Sequence, residues 1–182
     1  MASTTSLTAS STATSLRKLY FVRFGFAIVW GALVFAVGST LGPVTVALLV
    51  LYPLFDLASA VVDVRSNRAS ILLYTNMALS LLAAAGLAIA ATSGSPAVLR
   101  VWGAWALTAG LVQLLVGVRR RLLGGQWPMI ISGGLSVLVG GAFIAMAGGD
   151  SASLSSLGGY ATLGGIFFLI SALRLRNTAR GN

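Results

Sequence analysis

Residues 103–121 read GAWALTAGLVQLLVGVRRR: sixteen residues without a charge, then three arginines in a row. A bilayer-spanning helix needs about 20 mostly apolar residues, and basic side chains collect at its cytoplasmic end. The rest of the chain is built the same way. No charged residue lies between Arg23 and Asp56, or from Ala69 to Leu99, Leu122 to Gly149, or Ser151 to Leu173. Over the 182 residues, 57% are apolar and 8% charged, and the mean hydropathy is +0.95. Soluble domains carry about a quarter charged residues. This chain cannot cover itself with polar surface, so its solvent is lipid.

The run after Arg23 is long enough to cross twice, and GSTLGP at 38–43 supplies the Gly and Pro that divide it. Six spans follow, at 20–38, 44–63, 71–92, 98–118, 127–147 and 156–174, within a membrane domain over 17–176. The runs are continuous rather than alternating, which excludes a β-barrel. The fold class is therefore all-α: a polytopic membrane protein.

Lys and Arg set the expected orientation. Arg17, Lys18, Arg23, Arg65, Arg68, Arg119, Arg120, Arg121, Arg174, Arg176 and Arg180 fall on one side, and Arg100 alone on the other. Both termini are then cytoplasmic, in a multi-pass membrane protein. The +9 charge is explained by headgroups rather than nucleic acid, because the basic residues cap helices instead of forming one patch with aromatics. The first fifteen residues hold ten Ser or Thr and lack the basic-then-apolar order of a signal peptide. They read as part of a disordered cytoplasmic tail over 1–16, matched by a short tail at 177–182.

Spans four and six align without gaps. GAWALTAGLVQLLVGVRRR lies over GGYATLGGIFFLISALRLR (158–176), pairing Gly103 with Gly158, Gly110 with Gly165, and Arg119 and Arg121 with Arg174 and Arg176. Aligning span two by Arg65 sets Asp56 against Gly110 and Gly165. In the odd spans, Gly31, Gly86 and Gly140 recur at the same period of 54 to 55 residues. The chain reads as three repeated helical hairpins about an axis normal to the membrane. Gly103, Gly110 and Gly117 fall on one face of span four; Gly133 and Gly140 lie in span five, and Gly158 and Gly165 in span six. Small faces let membrane helices approach closely. A packing surface is the expected role, with a ligand groove as the alternative.

The segments VWGAWALTAGLVQLLVGVRRR, GGQWPMIISGGLSVLVGGAFI and LGGYATLGGIFFLISALRLR resemble the HdeD-like family of small bacterial inner-membrane proteins. The resemblance covers roughly 20–176. It implies six spans in paired helices and a role in envelope or acid stress, and it carries no catalytic residues to this chain. In span two the family pattern usually has glycine, whereas this chain has Asp56.

Asp56 is the residue that needs explaining. It sits about 12 Å inside the expected edge, where an exposed carboxylate costs about 2–3 kcal/mol or more, so it should face the bundle. Ser59 and Asp63 share its helical face at i+3 and i+7, and Pro53 loosens the preceding turn enough for water to enter. Arg23, Asn76, Gln113 and Ser132 lie at similar depth; Arg23 or Asn76 can reach the carboxylate. Asp63, beside Arg65, and Asp150, in an outer turn, are expected to be solvated. Asp56 is then a structural tether, a titrating group in a cytoplasm-facing vestibule, or an acid at a subunit contact.

Chemistry is otherwise sparse. With no His, Glu or Cys, the usual general bases, nucleophile activators and metal ligands are missing. GGLSVLVGG lacks the Lys and Ser/Thr of a phosphate loop. The expectation is a non-enzymatic protein with no cofactor, metal or catalytic residue, partnered by the lipid bilayer and acting as a homo-oligomer or an accessory subunit of a membrane complex. The alternative is a small transporter or channel with its vestibule around Asp56.

Overall fold

In lipid, backbone N–H and C=O groups must be satisfied within the segment, so each apolar run forms a helix. A computed structural model describes residues 2–66, 70–149 and 153–178 as α1 (Ala2–Val37), α2 (Pro43–Ser66), α3 (Ile71–Ala90), α4 (Ser95–Arg119), α5 (Trp127–Met146) and α6 (Ser155–Thr178). Met1, 67–69, 150–152 and 179–182 lie outside the described residues, and with them Arg68, Asp150, Arg180 and most of the 177–182 tail. All six helices are long and apolar enough to cross a membrane.

Local signals set the ends. Pro96 and Pro128 occupy the first turns of α4 and α5, where a missing N–H is harmless. Gly94, Gly124 and Gly125 take positive φ in the turns before them, a region that glycine enters without a Cβ penalty. The Ser70 hydroxyl accepts from the Leu73 N–H at the start of α3. The expected tail at 1–16 departs from the sequence reading: α1 is helical from Ala2. No Gly or Pro precedes Gly25 to break it. Leu16 is fully buried against α5 and α6, in a cluster with Tyr20, Met129, Phe168 and Leu175.

The helices form a closed ring in chain order, with α6 returning to α1. Each hairpin packs more closely on the next than its own two helices pack on each other: the tight pairs are α2–α3, α4–α5 and α6–α1. Glycine makes two of these pairs possible. A Cβ at Gly140 would stand 2.5 Å from the Leu107 nitrogen and 2.6 Å from the Gly103 carbonyl oxygen, so neither position can carry a side chain without the helices parting. Gly110 meets Ser136 and Gly133 of α5, while Gly117 abuts Ile130. Across α6–α1, Gly158 meets Gly31 and Gly165 meets Ala27.

Burial refines the repeat. On the even helices, Asp56, Gly110 and Gly165 are buried at matched positions, as are Leu48, Trp102 and Leu157. On the odd helices the matched series are Tyr20, Arg23, Ala27, Gly31, Val34; Leu73, Asn76, Ser80, Ala84, Leu87; and Met129, Ser132, Ser136, Gly140, Phe143, with identical spacing. Gly86 therefore does not pair with Gly31 and Gly140. Ala84 takes that place, and a Cβ on Gly86 would meet only Val101 of α4, at 3.2 Å. Period alone cannot tell a packing glycine from one two residues away.

Overpacking a tight helix contact typically costs about 1–3 kcal/mol. Gly140→Val should lower unfolding stability in detergent by roughly 2 kcal/mol or more by that rule. Gly141→Ala, at a position with nothing within 4 Å, should leave the same thermal melt unchanged.

Candidate functional site

The face of α2 that turns inward carries Asp56, Ser59 and Asp63, all buried. Asp56 collects donors from two neighbouring helices. Arg23 of α1 pairs with Oδ1, while Asn76 Nδ2 and Ser80 Oγ of α3 donate to Oδ2 at 2.6 and 2.8 Å. Trp105 of α4 then donates its indole N–H to Ser80 Oγ at 3.2 Å. The Arg23 guanidinium also lies 4.4 Å over the ring of Phe168 on α6. One carboxylate thus links α1, α2 and α3 directly, and α4 through one further bond. A buried charge is tolerated when it is paired and its lone pairs are filled, and here both conditions hold.

Of the residues singled out from sequence, Asp56, Arg23 and Asn76 converge. Ser59 is buried on the same face but does not bond to Asp56. Gln113 donates to the Met129 carbonyl at 3.3 Å, tying α4 to α5. The turn before Pro53 is met by an aromatic: Trp30 donates its indole N–H to the Leu48 carbonyl at 2.7 Å.

Asp63 differs from the expectation of a solvated acid beside Arg65. It is 7% exposed and takes a bidentate pair from Arg120, at 2.7 and 3.0 Å. Burial alone would lower the Arg120 pKa, but hydrogen bonding and attraction from Asp63 outweigh it and hold the guanidinium above its ordinary value. Beside this pair, Tyr20 donates to the buried Gln126 at 3.3 Å. Ser80, Trp105, Arg120 and Gln126 were not visible as site residues in the sequence. The single available signal was Ser80, one helical turn from Asn76.

A cavity of about 100 Å3 lies between the two ion pairs. The charged and titratable groups lining it are Tyr20 and Arg23 from α1, Tyr52, Asp56 and Asp63 from α2, Arg120 after α4, and Tyr160 from α6. Helices α3 and α5 line it with none; Asn76, Ser132 and Ser136 are their polar contributions. Toward the opposite end the bundle is filled by Trp30 stacked on Trp102 at 5.3 Å, with Leu49, Leu87, Val98 and Leu157, all fully or almost fully buried. The chamber therefore lies on the arginine-rich side and ends at mid-bundle, where Tyr52, Trp105 and Tyr160 line it.

Fold and site define an integral membrane protein of the all-α polytopic class, with a polar, charge-balanced chamber in one half. None of the protein-family models, curated proteins and solved structures compared with the chain matches it.

Removing one partner of a buried ion pair leaves the other uncompensated and costs about 3–5 kcal/mol. Arg120→Met should destabilise the detergent-solubilised protein by about 3 kcal/mol on that basis. Adding Asp63→Asn should restore part of the loss, so a double-mutant cycle on unfolding should give a favourable coupling.

Proposed function

We propose that this chain is a non-enzymatic integral membrane protein of the HdeD-like type, working in membrane and acid-stress physiology. Its arginine-rich end faces the cytoplasm of a bacterial inner membrane, by the positive-inside rule. The observation that supports the reading is the ring of six membrane-length helices in paired hairpins; the Asp56 junction, where one carboxylate accepts from α1 and α3 at once, is this chain's own addition to that pattern.

The chain has three acids, and two of them, Asp56 and Asp63, are held in buried ion pairs. Removing the Asp56 carboxylate would strip Arg23 of its counter-charge inside the bundle. The junction is thus a clasp that holds α1, α2 and α3 together. The aromatic and aliphatic filling beyond the chamber supports a non-conducting protein over a channel, since a conduit needs polar groups along its whole length.

Asp56→Asn, which leaves Arg23 without its counter-charge, should lower unfolding stability in detergent by about 3 kcal/mol. In proteoliposomes, proton and ion flux should stay at background for both proteins. An Asp56→Asn melt equal to that of wild type would overturn the clasp. Flux above background in wild type, abolished by Asp56→Asn, would replace this reading with a small transporter or channel acting through the chamber.

A further inference from the structure

The chamber offers more than the clasp uses. Its fixed charges balance, Arg23 against Asp56 and Arg120 against Asp63, and the capacity left over is of two opposite kinds. A guanidinium carries more N–H groups than one bond uses, and Arg23 spends only Nη2 on Asp56. Its remaining edge favours an anionic group, a planar carboxylate above all.

Acceptors are left over as well. Asn76 and Gln113 each donate through the amide nitrogen. Their amide oxygens belong to the chamber lining and have no hydrogen-bond partner among the described residues. The hydroxyls of Tyr52 and Ser132 are likewise without one there, and a hydroxyl serves as donor or acceptor. Tyr52, Trp105 and Tyr160 surround the inner end with aromatic rings. Amide oxygens and aromatic rings together suit an ammonium group, which only donates and is drawn to ring faces. The two kinds of capacity stand apart: Arg23 meets Oδ1 of Asp56, and Asn76 meets Oδ2.

A lone anion would answer the first set and a lone cation the second. Either would add an unbalanced charge between two ion pairs. One molecule that carries both charges answers both sets and keeps the balance. The chamber is partly open, so such a molecule retains part of its hydration. Size sets the upper limit. A 150 Å3 cavity holds benzene, so about 100 Å3 holds roughly five non-hydrogen atoms.

We propose that this chamber binds a small zwitterion, an ammonium carboxylate of the size of free glycine or β-alanine. Its carboxylate lies toward Arg23 and its ammonium toward the amide oxygens of Asn76 and Gln113. The opposite end is filled, so the ligand enters from the arginine-rich end, beside Arg120 and Gln126. The proposal goes beyond the clasp, since it concerns the groups that the junction leaves unused.

The test is equilibrium binding of carbon-14 glycine to the detergent-solubilised protein, read by scintillation proximity. Binding should saturate, and unlabelled glycine or β-alanine should displace the label. Acetate, methylammonium and acetamide, which supply one charge or neither, should leave it bound at the same concentrations. Gln113→Leu and Ser132→Ala keep both ion pairs and should each weaken binding by about threefold to tenfold. Tyr52→Phe, a change of one hydroxyl, takes the place of either variant that fails to fold and carries the same expectation. Absence of a saturable signal would overturn the proposal. So would equal displacement by acetate, which marks a plain anion site, by methylammonium, which marks a cation site, or by acetamide, which marks a site that reads size alone. Variants that bind like wild type would overturn it as well. The clasp is judged by the Asp56→Asn melt without ligand, so the two ideas can fail separately.

Discussion

A carboxylate in the interior of a lipid-embedded bundle is costly unless it is paired, and its bonds are found among neighbouring helices. Asp56 finds three, one from Arg23 and two from α3. That requirement fixes more than one side chain. It sets the rotation of α2, which places Asp63 inward to meet Arg120. It sets the rotation of α1, which lays Arg23 over Phe168. The same constraint orients α3, whose Ser80 is shared with Trp105. The chamber is the space left between these paired groups.

The threefold repeat explains why Asp56 sits where it does. Its counterparts, Gly110 and Gly165, are points where α4 meets α5 and α6 meets α1 almost backbone to backbone. Two of the three equivalent junctions are held by dispersion across small residues; the third is held by charge and hydrogen bonds. The odd helices answer in kind. Arg23, Asn76 and Ser132 occupy one repeat position, yet Arg23 and Asn76 turn to Asp56 while Ser132 faces the chamber unpaired among the described residues. A symmetric scaffold thus carries a deliberately lopsided polar centre.

Lipid made much of this legible in advance. Charge-free runs mark spans because a charge in hydrocarbon is costly, and the same cost put Asp56 inside with Arg23 and Asn76 in reach. The even-helix register was readable because two of its three members are glycine. The odd-helix register was not, because α3 fills the equivalent place with Ala84 while a nearby glycine, Gly86, suggests a false match. The Asp63–Arg120 pair was hidden for a different reason: its partners lie 57 positions apart, and Arg120 looks like the middle of a basic triplet meant for headgroups. The helical start of α1 was masked by a Ser/Thr-rich composition that reads as irregular, although nothing in it breaks a helix.

The closure of the ring through α1 and α6 bears on how the chain assembles. Of the six helices, α1 precedes all the others in the chain, and α6, the one it packs against most closely, follows them. Until α6 is in place, the Gly31 surface of α1 lacks its partner. The early guide to its orientation is Arg23, which can find Asp56 once the second helix is in place and be joined by Asn76 with the third. An ion pair between the first two of the six helices is thus available to orient α1 before α6 closes the seam.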